Sequence, residues 1–175
     1  MSPADSYVIR QARANDVEPM RALEHGAAQK FRAIGYVFCA DGPVCDAIEH
    51  VRVMTNGATF VFDTDAGALA GFAMFDAHDA GCHLIEIDVD PAHQGRGLAR
   101  RLIAAGEDWA RERGLGEMTL TTFRDVPWNA PFYARLGFEE LTPGPERREL
   151  AAVIAQEAAS GFAFAPRIAM RKPLL

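Results

Sequence analysis

The stretch His83–Arg101, HLIEIDVDPAHQGRGLARR, constrains this chain more than any other. Leu84–Val89 alternates, with Ile85, Ile87 and Val89 on one face and Glu86 and Asp88 on the other. That is the period-2 pattern of a strand with one buried side. Asp90-Pro91 stops the strand, because proline cannot donate to a ladder and restricts the residue before it. Gln94-Gly95-Arg96-Gly97-Leu98-Ala99 then opens a helix whose apolar positions Leu98, Leu102, Ala105 and Trp109 recur at helical spacing. A strand, a short turn and a glycine-bearing helix start make an anion site, since free N–H groups and the positive dipole end converge on one point. The glycines admit a phosphate to the backbone and Arg96 adds a charge, so the expectation is a turn that holds a pyrophosphate.

A chain of 175 residues is long enough for one domain with a sizeable core, and a single domain over residues 1–175 is expected. A net charge of −6 argues against nucleic acid as the main partner. Cys39, Cys45 and Cys82 form an odd set without Cys-x-x-Cys or Cys/His metal spacing, and they read as reduced thiols of a cytoplasmic protein. The five histidines are scattered, so no metal site is expected. The N-terminus lacks the basic segment and apolar core of a signal peptide, and no apolar run suits a membrane span.

Along the chain, Tyr7–Ala12 is a strand candidate. Asn15 stands three residues before Glu18, the spacing of a capping box, and a helix is expected to about Arg32, with Pro19 in its first turn. A second helix is expected over Val44–Met54. Thr59–Asp63 and Leu69–Asp76 form an antiparallel hairpin about Asp65-Ala66-Gly67. After the long helix come a strand at Glu117–Phe123, a short helix over Trp128–Leu136, a strand at Phe138–Leu141, a helix at Arg147–Ala159 and a last strand at Arg167–Lys172. Helices set among both hairpins and crossovers point to a mixed sheet in an α/β fold.

Rival phosphate-binding folds fit poorly. A P-loop needs Gly-Lys-[Ser/Thr], which is missing. A dinucleotide-binding fingerprint needs a third small residue where Arg100 stands, and its first glycine directly after the strand. The spacing Gln94-x-x-Gly97-x-Ala99, after an alternating strand ending Val-x-Pro, resembles the acetyl-CoA motif of the GNAT N-acetyltransferase superfamily. A second block, Asn129-Ala130-Pro131-Phe132-Tyr133-Ala134-Arg135-Leu136-Gly137-Phe138, looks like that family's other core motif. The resemblance covers the order of elements from Tyr7 to Leu141 and is specific from about Leu84 to Phe138. The helix Arg147–Ala159 is a departure from the family pattern on the acceptor side.

The resemblance implies a GNAT-like mixed, mostly antiparallel central sheet flanked by helices. It also implies a splay between the fourth and fifth strands, with pantetheine in the opening. It implies acetyl-CoA as cofactor, with backbone groups of Ile87, Asp88 and Val89 pairing with pantetheine. The amide near Val89 would hold the thioester oxyanion, a contribution of roughly 3–4 kcal/mol per donor in oxyanion holes. The amides of Gly95, Gly97, Leu98 and Ala99 would cradle the pyrophosphate, flanked by Gln94 and Arg96. Arg100 or Arg101 would reach the ribose phosphate, the alternative for either being a solvated charge on an exposed helix face. His93 borders this turn as a solvent-facing residue or a CoA contact.

The chemistry implied is attack by a neutral amine on the thioester, which needs a base for the amine and an acid for the thiolate. Glu86 is the first base candidate, Asp88 the second and Glu24 the third; the alternative for Glu86 is a partly exposed strand carboxylate or an ion-pair partner. Tyr133 matches the family's acid, or else is a core tyrosine with a satisfied hydroxyl. Asn129 maps to a pantetheine contact and is also a candidate N-cap. Glu24, Phe31 and Trp128, with His25, Phe38 and Glu157, are expected to line an acceptor pocket suited to a cationic amine. Three readings stay open: an N-acetyltransferase for a small primary amine, a non-catalytic acyl-CoA-binding regulatory module, and an acetylator of a protein or peptide amine. Homodimers are frequent in the family, although no residue pattern here demands one.

Overall fold

The computed structural model describes residues 7–79, 81–162 and 165–174. The chain divides into two compact units, Met1–Phe75 with Glu86–Gly106, and Asp76–Ile85 with Glu107–Leu175. Three elements pass from one unit into the other: β3 (Leu69–His78), β4 (Gly81–Val89) and helix α4 (Leu98–Glu112).

The first unit begins with β1 (Tyr7–Gln11), which pairs antiparallel with β2 (Ala58–Thr64), itself antiparallel to β3. The hairpin turns as expected, with Gly67 at φ 76° and its N–H donating to the Thr64 carbonyl at 2.8 Å. Between β1 and β2 lie α1 (Val17–Ala28), a 3-10 segment Gln29–Ile34, α2 (Val37–Asp41) and α3 (Ala47–Asn56). The sequence pattern had one helix running on to Arg32 and no α2. The α-helix instead tightens to 3-10 after Ala28, and the left-handed Gly35 at φ 80° ends that segment. The entry to α1 also differs. The buried Asp16, rather than Asn15 with Glu18, accepts the Arg13 N–H at 2.7 Å. Arg10 grips Asp16 at 2.7 Å and Asp63 at 2.6 Å, and this pairing holds the Asp16 carboxyl below its ordinary range.

The core of this unit is Met20, Leu23, Val53, Phe62, Phe72, Phe75, Leu102 and Ile103. Each fully buried side chain of this kind contributes roughly 1.5–3 kcal/mol. Gly106 in α4 has a packing reason: a Cβ there would stand 2.3 Å from the Phe75 ring. The helix can lie that close to β3 only because the side chain is missing.

In the second unit β4 runs parallel to β5 (Glu117–Phe123), which pairs antiparallel with β7 (Arg167–Pro173); β6 (Glu139–Leu141) closes the edge antiparallel to β7. The fold is therefore the mixed, mostly antiparallel sheet with flanking helices that was expected. The parallel ladder covers Cys82↔Met118, His83↔Thr119 and Leu84↔Leu120, and its pairs end at Leu84, where the fourth and fifth strands were expected to part. Burial along β4 changes at the same point. Gly81–Leu84 are buried on both faces, whereas Ile85–Val89 are all half-exposed, Ile85, Ile87 and Val89 included. The alternation in sequence predicted one buried face there; a strand that leaves a ladder loses the cover which would have buried it.

The inserted helix α6 (Arg148–Ala159) buries only Leu150 fully. Its expected apolar stripe is half-exposed at Val153 and Ile154 and exposed at Ala158. The helix is fastened at its start by Asp79, whose carboxylate receives the N–H groups of Glu149 at 3.4 Å and Leu150 at 3.5 Å. Asp79 is left-handed at φ 51°, a conformation that aspartate tolerates better than most residues.

Candidate active site

The turn after β4 has the local form that the sequence implied. The side chain of Asp90 accepts the Ala92 N–H at 2.8 Å, the 3-10 segment Pro91–His93 follows, and α4 starts at Leu98. Arg101 N–H donates to the Gly97 carbonyl at 3.2 Å, so Gly97 stands at the helix cap. The amides of the first turn, Leu98, Ala99 and Arg100, therefore have no acceptor within the helix. Gly95 and Gly97 sit at φ 75° and 76°, and a Cβ at either would meet nothing within 4 Å. They are needed for backbone conformation, and the space over them is open.

The side chains about the turn sort themselves. Gln94 is exposed and donates to the Val89 carbonyl at 3.1 Å, tying the turn back to the end of β4. Arg96 lies 5.9 Å over the Tyr7 ring. Arg101 is occupied, stacked 4.5 Å over Phe62 and donating to the Tyr7 carbonyl at 3.3 Å, whereas Arg100 is exposed. His93 is half-buried, and its Nδ1 shares a 2.9 Å hydrogen bond with the Tyr7 hydroxyl.

On β4, Glu86 accepts the Ile87 N–H at 3.2 Å. Asp88 and Val89 follow, and a Cβ on Gly71 in β3 would stand 2.9 Å from the Asp88 carbonyl oxygen. Gly71 thus lets the backbone of β4 bend close against β3, a role that nothing in the sequence pattern marked.

Glu86 and Asp88 do not act alone. Glu24 of α1 feels the charge of Glu86; burial first and that charge second push its carboxyl up to about 8. Asp88 is half-exposed by surface yet closely surrounded by protein; burial and the Glu86 charge raise it well above its ordinary range, with Lys30 pulling the other way. Lys30, on the 3-10 segment, is held down by burial against the attraction of Asp88 and Glu86. The three base candidates and one lysine therefore form a single electrostatic cluster. Lys30 was missed by the sequence reading, because helical spacing does not show which residues of α1 and its 3-10 extension face β4.

Beside the cluster lie the aromatics of the same segment. Phe31 stacks on Tyr36 with centroids 6.3 Å apart, Tyr36 contacts Phe38 at 6.1 Å, and the Lys30 ammonium is 5.9 Å over Phe31. His25, by contrast, is exposed. Burial pushes the Cys45 and Cys82 thiols up to about 12, which favours the protonated thiol over a nucleophilic thiolate.

In the second unit, Tyr133 of α5 (Ala130–Ala134) is buried between Phe132 at 5.2 Å and Phe138 at 5.8 Å. Asn129 stands at the cap position of α5, where its carbonyl receives the N–H groups of Phe132 and Tyr133. Its side chain does not cap the helix. Nδ2 donates to Thr122 at 2.8 Å, and Oδ1 is buried without a partner. An acceptor left without a donor suits the amide N–H groups of pantetheine. In the first unit, taken by itself, the open glycine turn with its free helix-start amides suits a pyrophosphate. Glu157 receives Thr121 and Arg167 and lines a cavity of about 380 Å³ with Ile154, Phe162 and Ile168.

A model of the Acetyltransferase (GNAT) family matches residues 43–138, which contain both motifs. Streptothricin acetyltransferase of Streptomyces lavendulae is 39% identical over 88 residues, 47% of this chain and 45% of that protein. Mycothiol acetyltransferase of Rhodococcus erythropolis is 38% identical over 86 residues, 45% of this chain and 28% of that protein. The matched stretch thus spans less than half the length of these relatives. Among solved structures, nourseothricin acetyltransferase superposes with a TM-score of 0.68 at 22% identity, covering 97% of this chain and 99% of that one. PaiA N-acetyltransferase from Thermoplasma acidophilum, solved with coenzyme A, gives 0.70 at 14% identity over 96% and 99%. At such identities the structures show the fold alone, while the family match carries the assignment. The chain belongs to the GNAT family of acetyl-CoA-dependent N-acetyltransferases.

Proposed function

We propose that this protein acetylates a primary amine of a small cationic molecule by direct attack of that amine on the acetyl thioester. The observation that carries the reading is the cluster of Glu24, Glu86 and Asp88 around one lysine. Three carboxyl groups against one lysine favour a cation, whose approach draws them toward their ionised form, and a carboxyl raised to about 8 exchanges protons in the working range. Bound acetyl-CoA supplies the acetyl thioester. The Val89 amide holds the carbonyl oxygen, and the glycine turn with Arg100 holds the phosphates. Glu86 takes the proton of the acceptor ammonium, directly or through water, with Asp88 and Glu24 as the second and third candidates. Tyr133 gives its proton to the departing thiolate, and Asn129 receives a pantetheine N–H. Phe31 and Trp128 line the acceptor. On this reading residues 1–175 form a single acyltransferase domain, and the reduced cysteines Cys39, Cys45 and Cys82 suit the cytoplasm. Among the described residues no helix is long and apolar enough to cross a membrane. The names of the streptothricin and mycothiol relatives support a small-molecule acceptor.

The test is release of free thiol from acetyl-CoA across a panel of amines and peptides. Small cationic amines are expected to turn over, and Glu86→Gln to lower kcat by about 10²–10⁴-fold at unchanged CoA affinity. Tyr133→Phe is expected to lose turnover but keep CoA; unchanged turnover would remove Tyr133 from the mechanism. A preference for peptides would overturn the small-molecule acceptor, and CoA binding without thiol release on any amine would favour a non-catalytic module.

A further inference from the structure

Leu150, Ile154 and Ala158 stand one turn apart on α6 and so share a face of the helix. Leu150 is fully buried, whereas Ile154 is half-exposed and Ala158 exposed, because these two line a cavity of about 380 Å³. Phe162, Ala165 and Ile168 continue its apolar wall, and Thr121, Glu157 and Arg167 supply polar groups. Pockets for small molecules run to roughly 300–1,000 Å³ and have this make-up, an apolar wall with a few placed polar groups. Every residue of the lining except Thr121 lies outside residues 43–138, the stretch that the family model matches.

The polar groups satisfy one another on one side only. Glu157 accepts the Thr121 hydroxyl at 2.5 Å, Arg167 Nε at 3.0 Å and Arg167 Nη2 at 2.8 Å. Nη2 also donates to the Thr121 oxygen at 3.2 Å. The guanidinium lies over the Phe123 and Phe162 rings, 4.7 and 4.9 Å from their centroids. Its Nη1 carries two further N–H donors, which have no acceptor among the described residues. Thr121 and Thr122 are neighbours on β5 and therefore face opposite sides of the sheet. Thr122 receives Asn129 and Thr121 lines the cavity, so the cavity is on the other face of β5 from that asparagine.

We propose that this cavity is a second binding site, which takes a small, uncharged, mostly apolar molecule through one carbonyl oxygen held by Nη1 of Arg167. The apolar wall receives the body of the ligand. Nη1 has only donors to offer, so the polar end of the ligand is an acceptor. Its charge class follows from balance. Glu157 and Arg167 already answer each other, and a ligand with a net charge would bring an unpaired one against an apolar wall. For the same reason Glu157, expected from the sequence to draw a cationic amine, has its charge committed to Arg167. The inference is independent of the function proposed above, because it uses only groups on α6, β5, β7 and the segment between α6 and β7.

The experiment titrates the whole protein, labelled at its isoleucine methyl groups, and follows Ile154 and Ile168 by NMR. The probes are phenylacetamide, phenylacetate and phenethylammonium, which are matched in size and differ in charge. Phenylacetamide is expected to move the Ile154 and Ile168 methyls and to leave Ile48, exposed on α3, where it was. The two charged probes are expected to bind there about tenfold more weakly. Ala158→Trp, at an exposed position, should fill the cavity and abolish the shifts in a folded protein. Arg167→Lys keeps a charge beside Glu157 but lacks Nη1, and should weaken phenylacetamide about tenfold. Should Arg167→Lys not fold, Ala158→Trp and the comparison of the probes still decide. No movement of Ile154 or Ile168 with phenylacetamide overturns the inference. Equal affinity for all three probes overturns it as mere contact with an apolar surface. A phenylacetamide affinity unchanged in Ala158→Trp, or in folded Arg167→Lys, overturns it as well.

Discussion

The Glu24 carboxylate accepts the backbone N–H of Cys45 with both oxygens, at 2.9 and 3.1 Å, joining α1 to the segment that leads into α3. Arg21, one turn back on α1, donates to the Cys45 carbonyl at 3.1 Å, so both sides of that residue are held. The N–H bond favours the ionised carboxylate, yet burial and the Glu86 charge outweigh it and leave Glu24 at about 8. A carboxyl that is both a structural acceptor and a member of the acidic cluster should reveal itself in stability and in rate.

The folded value of Glu24, about 8, lies above its ordinary 4.5. Between those values the folded chain keeps a proton that the unfolded chain has lost, so stability falls as pH rises through that window. Glu24→Gln is isosteric with the protonated form and removes the loss. It should match the parent near pH 4 and exceed it by about 2 kcal/mol near pH 9, measured by urea unfolding at both pH values. A difference of the same size at both pH values would mean that Glu24 ionises normally.

The two arginines after Gly97 should separate cleanly. Arg100 is exposed, while Arg101 is committed to Phe62 and the Tyr7 carbonyl. Arg100→Ala is expected to leave Tm unchanged and to weaken CoA about fivefold, from losing roughly 1 kcal/mol of charge-assisted contact, with dephospho-CoA unaffected. Arg101→Ala is expected to cost about 1 kcal/mol of stability through the lost cation–π contact and to treat the two ligands alike. Calorimetric titration with both ligands, beside thermal melts, checks the pair.

Asn129→Ala tests the orphaned Oδ1. Because that side chain does not cap α5, the substitution removes a buried acceptor without losing a cap, and the stability change should stay within about 1 kcal/mol. CoA affinity should fall about tenfold, while adenosine diphosphate, which has no pantetheine, should bind as before. Equal losses for both ligands would place the effect in folding rather than in pantetheine recognition.

Asp79 links the β3–β4 turn to the start of α6, where it receives two helix amides. Asp79→Ala loses the cap and keeps the left-handed backbone, at a cost of about 1–2 kcal/mol. Asp79→Asn, which tolerates that backbone and still accepts hydrogen bonds, should recover most of it. Hydrogen exchange of the α6 amides would locate the change, and an effect spread evenly over the chain would contradict a local cap.

Both family motifs, Gln94–Ala99 and Asn129–Phe138, are legible in the residues alone. The left-handed Gly95 and Gly97, the stop at Asp90-Pro91, the hairpin at Gly67 and the stripe of α4 are local matters, settled by residue type and by neighbours a few positions away. Even there the stripe was approximate, since Ile103 is buried and Ala105 is not fully so. What could not be read was anything requiring two distant segments to meet. Lys30 belongs with Asp88, Gly71 with the bend of β4, Asp79 with α6, and Tyr7 with His93, and no pair is close in the chain. The same holds for ionisation. Glu24, Glu86 and Asp88 are three ordinary acidic letters in the chain. Only packing removes water from around them and sets their charges against one another, which is what pushes Glu24 and Asp88 toward the form that can exchange a proton. The sequence by itself determined the glycine turn that opens α4, because conformation there depends on glycine and proline. The tertiary structure decided the acidic cluster of Glu24, Glu86 and Asp88, because burial and charge proximity are properties of the fold.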